Sequence, residues 1–127
     1  MSEGYKNTLK SGKELYIPNW PVDVALVNLT MAGKYLGTDN VILISEINIP
    51  AVIVAIMGSD EPKKAAELIK HFVCQARVDG NKIDNNNIDS LFENDLSSVT
   101  EIFAHVIHAQ YADFFNLGLA KEPSQEK

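Results

Sequence analysis

The sequence contains few cysteines and few basic residues, which a disulfide framework and nucleic-acid binding respectively require. Its single cysteine, Cys74, excludes an intrachain disulfide and fits a reducing compartment. Lysine and arginine together number 11 against 17 aspartates and glutamates, which gives a net charge of −6. No basic cluster offers the face that a phosphate backbone needs, so the composition argues against a nucleic-acid partner.

Long apolar runs are missing as well. The most hydrophobic stretch, residues 41–57, is interrupted by polar residues and a proline, namely Ser45, Glu46, Asn48 and Pro50. It is therefore too short and too polar to span a bilayer. The first ten residues contain no apolar signal-peptide core, and 46% apolar with 22% charged residues is an ordinary globular composition. We expect a soluble cytoplasmic protein with no membrane partner.

Motifs for catalysis and cofactor binding are absent from the sequence. There is no GxSxG nucleophile motif, no phosphate-cradling glycine loop and no EF-hand spacing. His105 and His108 are three residues apart, as are His71 and Cys74, but nothing completes the three or four ligands of a zinc site. We expect no cofactor, no metal and no enzymatic activity. The rival hypothesis is a small enzyme that uses His105 and His108, and it requires His105→Ala or His108→Ala to abolish function without loss of folding.

What the sequence does contain is segments of helical periodicity. The clearest covers residues 98–117, where Ser98 and Glu101 form a capping box and Gly118 supplies a stop. Its apolar stripe contains Val99, Ile102, Phe103, Val106, Gln110, Phe114 and Leu117. His105 and His108 lie opposite this stripe, so we expect both to face solvent.

One aromatic residue of this helix lies outside the stripe. Phe114 belongs to the stripe, whereas Phe115 is about 100° further around the helix. We therefore expect Phe114 in the core and Phe115 at the surface. The candidate partner-binding residues lie on this flank: Tyr111, Phe115, His108 and Ala104. A wider core, in which the N-terminal hairpin or the chain end covers the flank, is the open alternative.

The remaining segments predict a mainly α, small helical domain of five to six helices. Further helices are predicted over residues 22–36, before Asn48, and over 50–57, 62–77 and 88–94. The apolar face predicted for the first of these contains Val22, Ala25, Leu26, Leu29, Gly33 and Leu36. The apolar stripe predicted for residues 62–77 contains Ala65, Leu68, Ile69, Phe72, Val73 and Ala76. Residues 41–57 have the β-branched content of a strand, but Pro50 argues against a central strand. Because residues 50–57 are apolar on every side, we expect them to form the most buried helix.

The two ends of the chain are predicted to differ from this helical body. Gly12 can form a tight turn, so a short N-terminal β-hairpin is predicted over residues 5–17. Residues 1–118 then form a single domain, followed by a flexible polar tail over 119–127.

The order of these elements resembles a known family. It includes a GK turn at residues 12–13, a VDG turn at 78–80 and a final helix ending in QYADFF at 110–115. The chain resembles the tail assembly chaperones of long-tailed bacteriophages. Those proteins commonly have a VDG-type turn and a final helix ending in a near-Asn-Phe-x-x-Phe-Phe pattern. Gln110 and Tyr111 stand where the family usually has Asn-Phe, so the aromatic side chain is kept and the asparagine is not.

The resemblance implies a non-enzymatic protein of the host-cell cytoplasm. Such a protein would bind the phage tape measure protein and keep it soluble until tail tube subunits assemble around it. The tail tube protein and a second copy of the chain, in a homo-oligomer, are further candidate partners. The alternative is a structural tail or baseplate component retained in the virion. Mass spectrometry of purified particles separates the two hypotheses, because a chaperone should be missing from them.

Overall fold

The computed structural model describes residues 4–119, which form six helices and one small sheet. The strands are β1 (Tyr5–Thr8), β2 (Glu14–Ile17), β3 (Arg77–Val78) and β4 (Asn81–Lys82). The helices are α1 (Val22–Leu36), α2 (Thr38–Ile44), α3 (Ile49–Met57), α4 (Pro62–Val73), α5 (Ile88–Leu91) and α6 (Leu96–Leu119). The predicted fold class, mainly α with an N-terminal β-hairpin, is confirmed. Of the predicted flexible tail, residues 120–127 lie outside the described residues.

The sheet joins two hairpins that are far apart in sequence. Its strand order is β1-β2-β3-β4, and all neighbouring strands are antiparallel. The second hairpin turns at Asp79 and Gly80, whose φ angles of 51° and 82° suit a two-residue hairpin turn. Asp79 also accepts a hydrogen bond from the Glu14 backbone N–H at 2.9 Å through its side chain. The VDG turn therefore fixes the β3–β4 hairpin against the N-terminal hairpin.

Helix α6 is the central element, because several others pack around its first half. Helices α2, α3 and α4 and strand β2 all contact it, and every residue from Glu101 to Ile107 is buried. The predicted exposure of the two histidines is wrong. His105 is buried and His108 is half-buried, since the hairpin and α2 cover the side of α6 that the apolar stripe leaves open.

The two ends of α6 also differ from the prediction. The helix begins at Leu96, and the Asp95 carboxylate accepts from the Ser98 backbone N–H at 3.2 Å and from its hydroxyl at 2.7 Å. Asp95 is thus the N-terminal cap in place of Ser98. Glu101 instead accepts from the Lys10 backbone N–H at 3.1 Å, which ties the hairpin turn to α6. The predicted stop at Gly118 is wrong, because α6 includes Gly118 and reaches Leu119. A glycine within a helix costs only about 1 kcal/mol.

Helix α3 contradicts the expectation that it would be the most buried helix. Two helical pieces, α2 and α3, do replace the single ambiguous segment, as predicted. However, the exposed side chains of α3 include four large apolar ones, Ile53, Val54, Ile56 and Met57, and Met57 is 82% exposed. Only one side of this short helix packs on the domain. An all-apolar sequence does not reveal which side that is, because every side looks equally suited to burial.

Helices α1 and α4, unlike α3, have amphipathic patterns that predict which side of each helix is buried. The stripe predicted for α4 is confirmed, with Ala65, Leu68, Ile69, Phe72 and Val73 all buried, although the helix ends at Val73 and not near Arg77. Helix α1 has the predicted bounds and ends at Gly37, whose φ is 92°. Its buried residues are Asn28, Ala32 and Leu36, whereas Val22 and Leu26 from the predicted face are exposed. An apolar edge of α1 is therefore left uncovered.

Candidate functional site

An apolar groove, which we call the α1–α6 groove, lies between the first half of α1 and the last part of α6. Its volume is about 290 Å³. It is lined by Asn19, Trp20, Val22, Ala25, Leu26, Leu29, Ala109, Gln110, Tyr111 and Phe114. No charged side chain is among these lining residues, and most of them are apolar or aromatic. A surface of this kind is suited to contact with another apolar surface.

Large apolar side chains along the groove are open to solvent. Val22 is 76% exposed, Leu26 55% and Phe114 53%, and Leu117, one turn beyond Phe114, is 84% exposed. Scattered exposed apolar residues are normal on a protein surface, whereas exposed residues that line one groove form a contiguous patch. Contiguous apolar patches of this kind mark interaction sites more often than isolated residues do.

The two walls of the groove are held together by hydrogen bonds from consecutive residues of α6. The Tyr111 hydroxyl donates to the Ala25 carbonyl oxygen at 2.6 Å. The Gln110 side chain donates to the Pro18 carbonyl oxygen at 2.9 Å and accepts from the Trp20 backbone N–H at 3.2 Å. Burial raises the pKa of Tyr111 well above its usual range, so its hydroxyl remains a neutral donor. The groove is therefore preformed in the free protein.

Trp20 lies where the two walls meet. Its ring packs edge-on against Phe72 of α4, with the ring centroids 5.2 Å apart, and against Tyr111 at 6.1 Å. Its indole nitrogen is buried and has no hydrogen-bond partner among the described residues. Because Trp20 is the only tryptophan of the chain, its fluorescence reports on this groove alone.

The residues predicted to bind a partner are placed at different depths. Tyr111 is buried and lines the groove. Phe115 is half-buried and lines an adjoining hollow that shares Leu29 with the groove. His108 is half-buried and its Nδ1 lies 2.8 Å from the Ser45 carbonyl oxygen, and Ala104 is fully buried. Tyr111 and Phe115 thus adjoin the groove. His108 instead contacts Tyr5 of the hairpin and the end of α2, and Ala104 belongs to the buried core.

The relation between the two consecutive phenylalanines is the reverse of the prediction. Phe114 is exposed and Phe115 packs against the core. The Phe115 ring contacts the Tyr111 ring one helical turn away in a tilted arrangement, with centroids 6.2 Å apart. Tyr111 in turn donates its hydrogen bond to Ala25 of α1. Helix α1 therefore follows the Tyr111–Phe115 edge of α6 and leaves Phe114 open. Two aromatic residues four positions apart are a sequence signal that could have revealed this edge.

A second cluster of polar side chains joins the hairpin to α6. The Tyr5 hydroxyl accepts from the Asn7 amide at 2.7 Å and lies 2.9 Å from His105 Nδ1. The other ring nitrogen, Nε2, lies 3.8 Å from the Glu101 carboxylate. With Nδ1 accepting from Tyr5, the neutral ring carries its proton on Nε2, facing that carboxylate. Burial lowers the pKa of His105, and the Glu101 carboxylate opposes this shift. This arrangement fastens the hairpin to the central helix.

The described residues offer no ligand set for a metal and no helix that could cross a membrane. Within residues 4–119, no group of three histidine, cysteine or acidic side chains is placed to hold an ion. None of the helices there combines the length and the hydropathy of a membrane span. Burial raises the pKa of the Cys74 thiol, which makes it a poor nucleophile at neutral pH.

Comparison with known proteins identifies the family. Residues 11–121 match the family model described as "Phage tail assembly chaperone protein, TAC". The match spans most of the chain, including α1, α6 and the VDG turn between them. Searches of curated proteins and of solved structures give no match. The chain therefore belongs to the phage tail assembly chaperone family, a family of chaperones and not of enzymes.

Proposed function

We propose that the protein binds the phage tape measure protein in the host-cell cytoplasm and keeps it soluble until tail tube subunits assemble around it. Family membership supports a partner among the tail proteins. The observation that carries the proposal is the preformed α1–α6 groove, with Val22, Leu26 and Phe114 exposed along it. A long helical client exposes apolar stripes that aggregate unless they are covered.

The geometry of the groove suits helix-in-groove binding. Residues 22–29 of α1 extend over about 12 Å, at 1.5 Å per residue, which is about two turns of a client helix. An apolar stripe with anchors at positions i, i+3 and i+4 can pack over such a length. Because the contact is short, one copy holds the client weakly and gives it up when tail tube subunits compete for the same apolar stripe.

We further propose that copies of the chain associate with one another through α3. This helix contains no charged residue, and its exposed apolar side includes Val54 and Met57. Two such faces can meet without burying a charge, which is the usual requirement for an interface between identical chains. Light scattering of the unaltered protein and of Met57→Ser tests the association.

Replacement of the exposed groove residues tests client binding directly. Leu26→Ser combined with Phe114→Ser removes two apolar contacts of the groove at positions that are already more than half exposed. Co-expressed tape measure segments should then move from the soluble to the insoluble fraction. The control is Leu96→Ser, which alters an even more exposed apolar residue at the opposite end of α6. Equal client solubility with the double variant and with the control would refute the groove as the client site.

A further inference from the structure

The two walls of the α1–α6 groove carry negative charge and no positive charge. Between Val22 and Gly33, the only charged residue of α1 is Asp23. Helix α6 contains Glu101 and Asp113 but no lysine or arginine along its whole length. Since Glu101 is buried beside the hairpin turn, Asp23 and Asp113 are the charges that these walls present near the groove.

Both aspartates are placed beside the apolar lining. On α6, Asp113 falls between Ala109 and Gln110 around the helix axis, at about 40° from the first and 60° from the second. On α1, Asp23 lies about 60° from Leu26. Both aspartates are exposed, so each can meet a charge on a bound segment. The nearest lysine along α1, Lys34, belongs to the adjoining hollow, more than a turn beyond Leu29.

We propose that the groove selects amphipathic helices whose apolar stripe is flanked by lysine or arginine. This inference rests on the proposed function, because it specifies the chemistry of the client segment. A basic flank places cations beside Asp23 and Asp113, whereas an acidic flank places like charges there. Complementary charges at the rim of an interface set partner choice and association rate more than they set total affinity. Apolar contact in the groove provides most of the binding free energy, and the two aspartates determine which apolar helices are preferred.

The charges also disfavour a second copy of the chain as the occupant. The same surface of another copy would bring its own Asp23 and Asp113 to the groove, with no lysine or arginine on either helix wall to offset them. Self-association through α3 leaves the groove free, so the two surfaces can be used at the same time.

Designed peptides test the charge preference without a natural client. Two 21-residue helices share one leucine stripe and carry either lysine or glutamate at the flanking positions, and Trp20 fluorescence reports their binding. Because exposed ion pairs are weak, we expect the lysine peptide to bind about three- to tenfold more tightly at low salt. The ratio should shrink toward one as salt is raised, because solvent-exposed charges are screened.

Matched variants separate the two aspartates from the overall charge of the protein. Asp23→Asn with Asp113→Asn should remove most of the preference for lysine. Asp60→Asn with Asp89→Asn changes the net charge equally at exposed positions elsewhere and should leave the preference intact. Equal binding of both peptides, or an equal effect of the two double variants, would overturn the inference. Trp20 fluorescence that changes with protein concentration but not with added peptide would overturn it as well.

The proposed function is tested by a different experiment, the solubility of the client with the groove variant. If Leu26→Ser with Phe114→Ser abolishes client solubility but the peptides show no charge preference, only the charge inference fails. If the peptides show the preference but client solubility does not depend on the groove, the proposed function fails and the groove chemistry stands.

Discussion

The two halves of α6 share one predicted apolar stripe and have opposite surroundings. From Glu101 to Ile107 every residue is buried, whereas Phe114 and Leu117, farther along the same predicted stripe, are exposed. The first half is enclosed by the sheet, α2, α3 and α4. The second half is contacted along one edge by α1 and by the segment before it, which contains Pro18 and Trp20. A periodic stripe shows which side chains point the same way. It does not show whether another element lies in that direction.

Truncation of one phenylalanine in each half should give the largest difference. Phe103 is fully buried, with its ring centroid 5.4 Å from that of Phe72. Phe103→Ala should therefore reduce the free energy of unfolding by about 3–5 kcal/mol, through lost burial and a cavity. Phe114→Ala leaves no enclosed cavity and should cost less than about 1 kcal/mol. Urea unfolding at constant protein concentration measures both values.

If Phe114→Ala reduced the free energy of unfolding by several kcal/mol, the two halves of α6 would not differ in burial. Such a result would mean that a further part of the chain or a second copy covers Phe114 in solution. Unfolding measured over a range of protein concentrations distinguishes these cases, because only the contribution of a second copy depends on concentration.

A smaller effect is expected from pH, and it belongs to the buried half alone. The pKa of His105 is lower in the folded protein than its ordinary value of 6.5, because burial disfavours the charged ring. Below pH 6.5, His105 is therefore protonated more readily in the unfolded chain than in the folded chain. Folding stability consequently falls as the pH drops through this range. The Glu101 carboxylate opposes the shift, which keeps the effect modest.

Unfolding at pH 7.5 and at pH 5 measures this contribution. His105→Gln should reduce the difference in stability between the two pH values, because the titrating ring is gone. His71→Gln, at an exposed position of α4, is the matched control and should preserve the difference. If His105→Gln has the same pH dependence as the unaltered protein, His105 does not link stability to pH.

The parts of the fold that the sequence predicts well are those with local signals. Helix α1 has the predicted bounds because Pro21 and Gly37 mark its ends. Helix α4 has the predicted stripe because polar and apolar residues alternate at helical spacing along it. In both cases the information lies within a few residues, and tertiary contacts do not override it.

The parts that it misses depend on contacts between distant residues. Strands β3 and β4 have two residues each, so neither shows a periodicity, and they form beside β2 through the Asp79–Glu14 contact. Which side of α3 is exposed, and whether Phe114 is exposed, depend on where α1 and the edge of the domain lie. Sequence periodicity identified Phe115 as unusual and placed Tyr111 on the same flank. The groove itself needed the Tyr111–Ala25 hydrogen bond, which no local pattern predicts.

Site-specific photo-crosslinking tests the central claim, that the open half of α6 contacts the client, most directly. A photoreactive phenylalanine analogue replaces either Phe114 or Leu96, both exposed residues of α6, in cells that also produce the tape measure protein. Irradiation should link the tape measure protein to position 114 and leave position 96 unlinked. Crosslinks of equal yield at both positions, or at position 96 alone, would contradict the account.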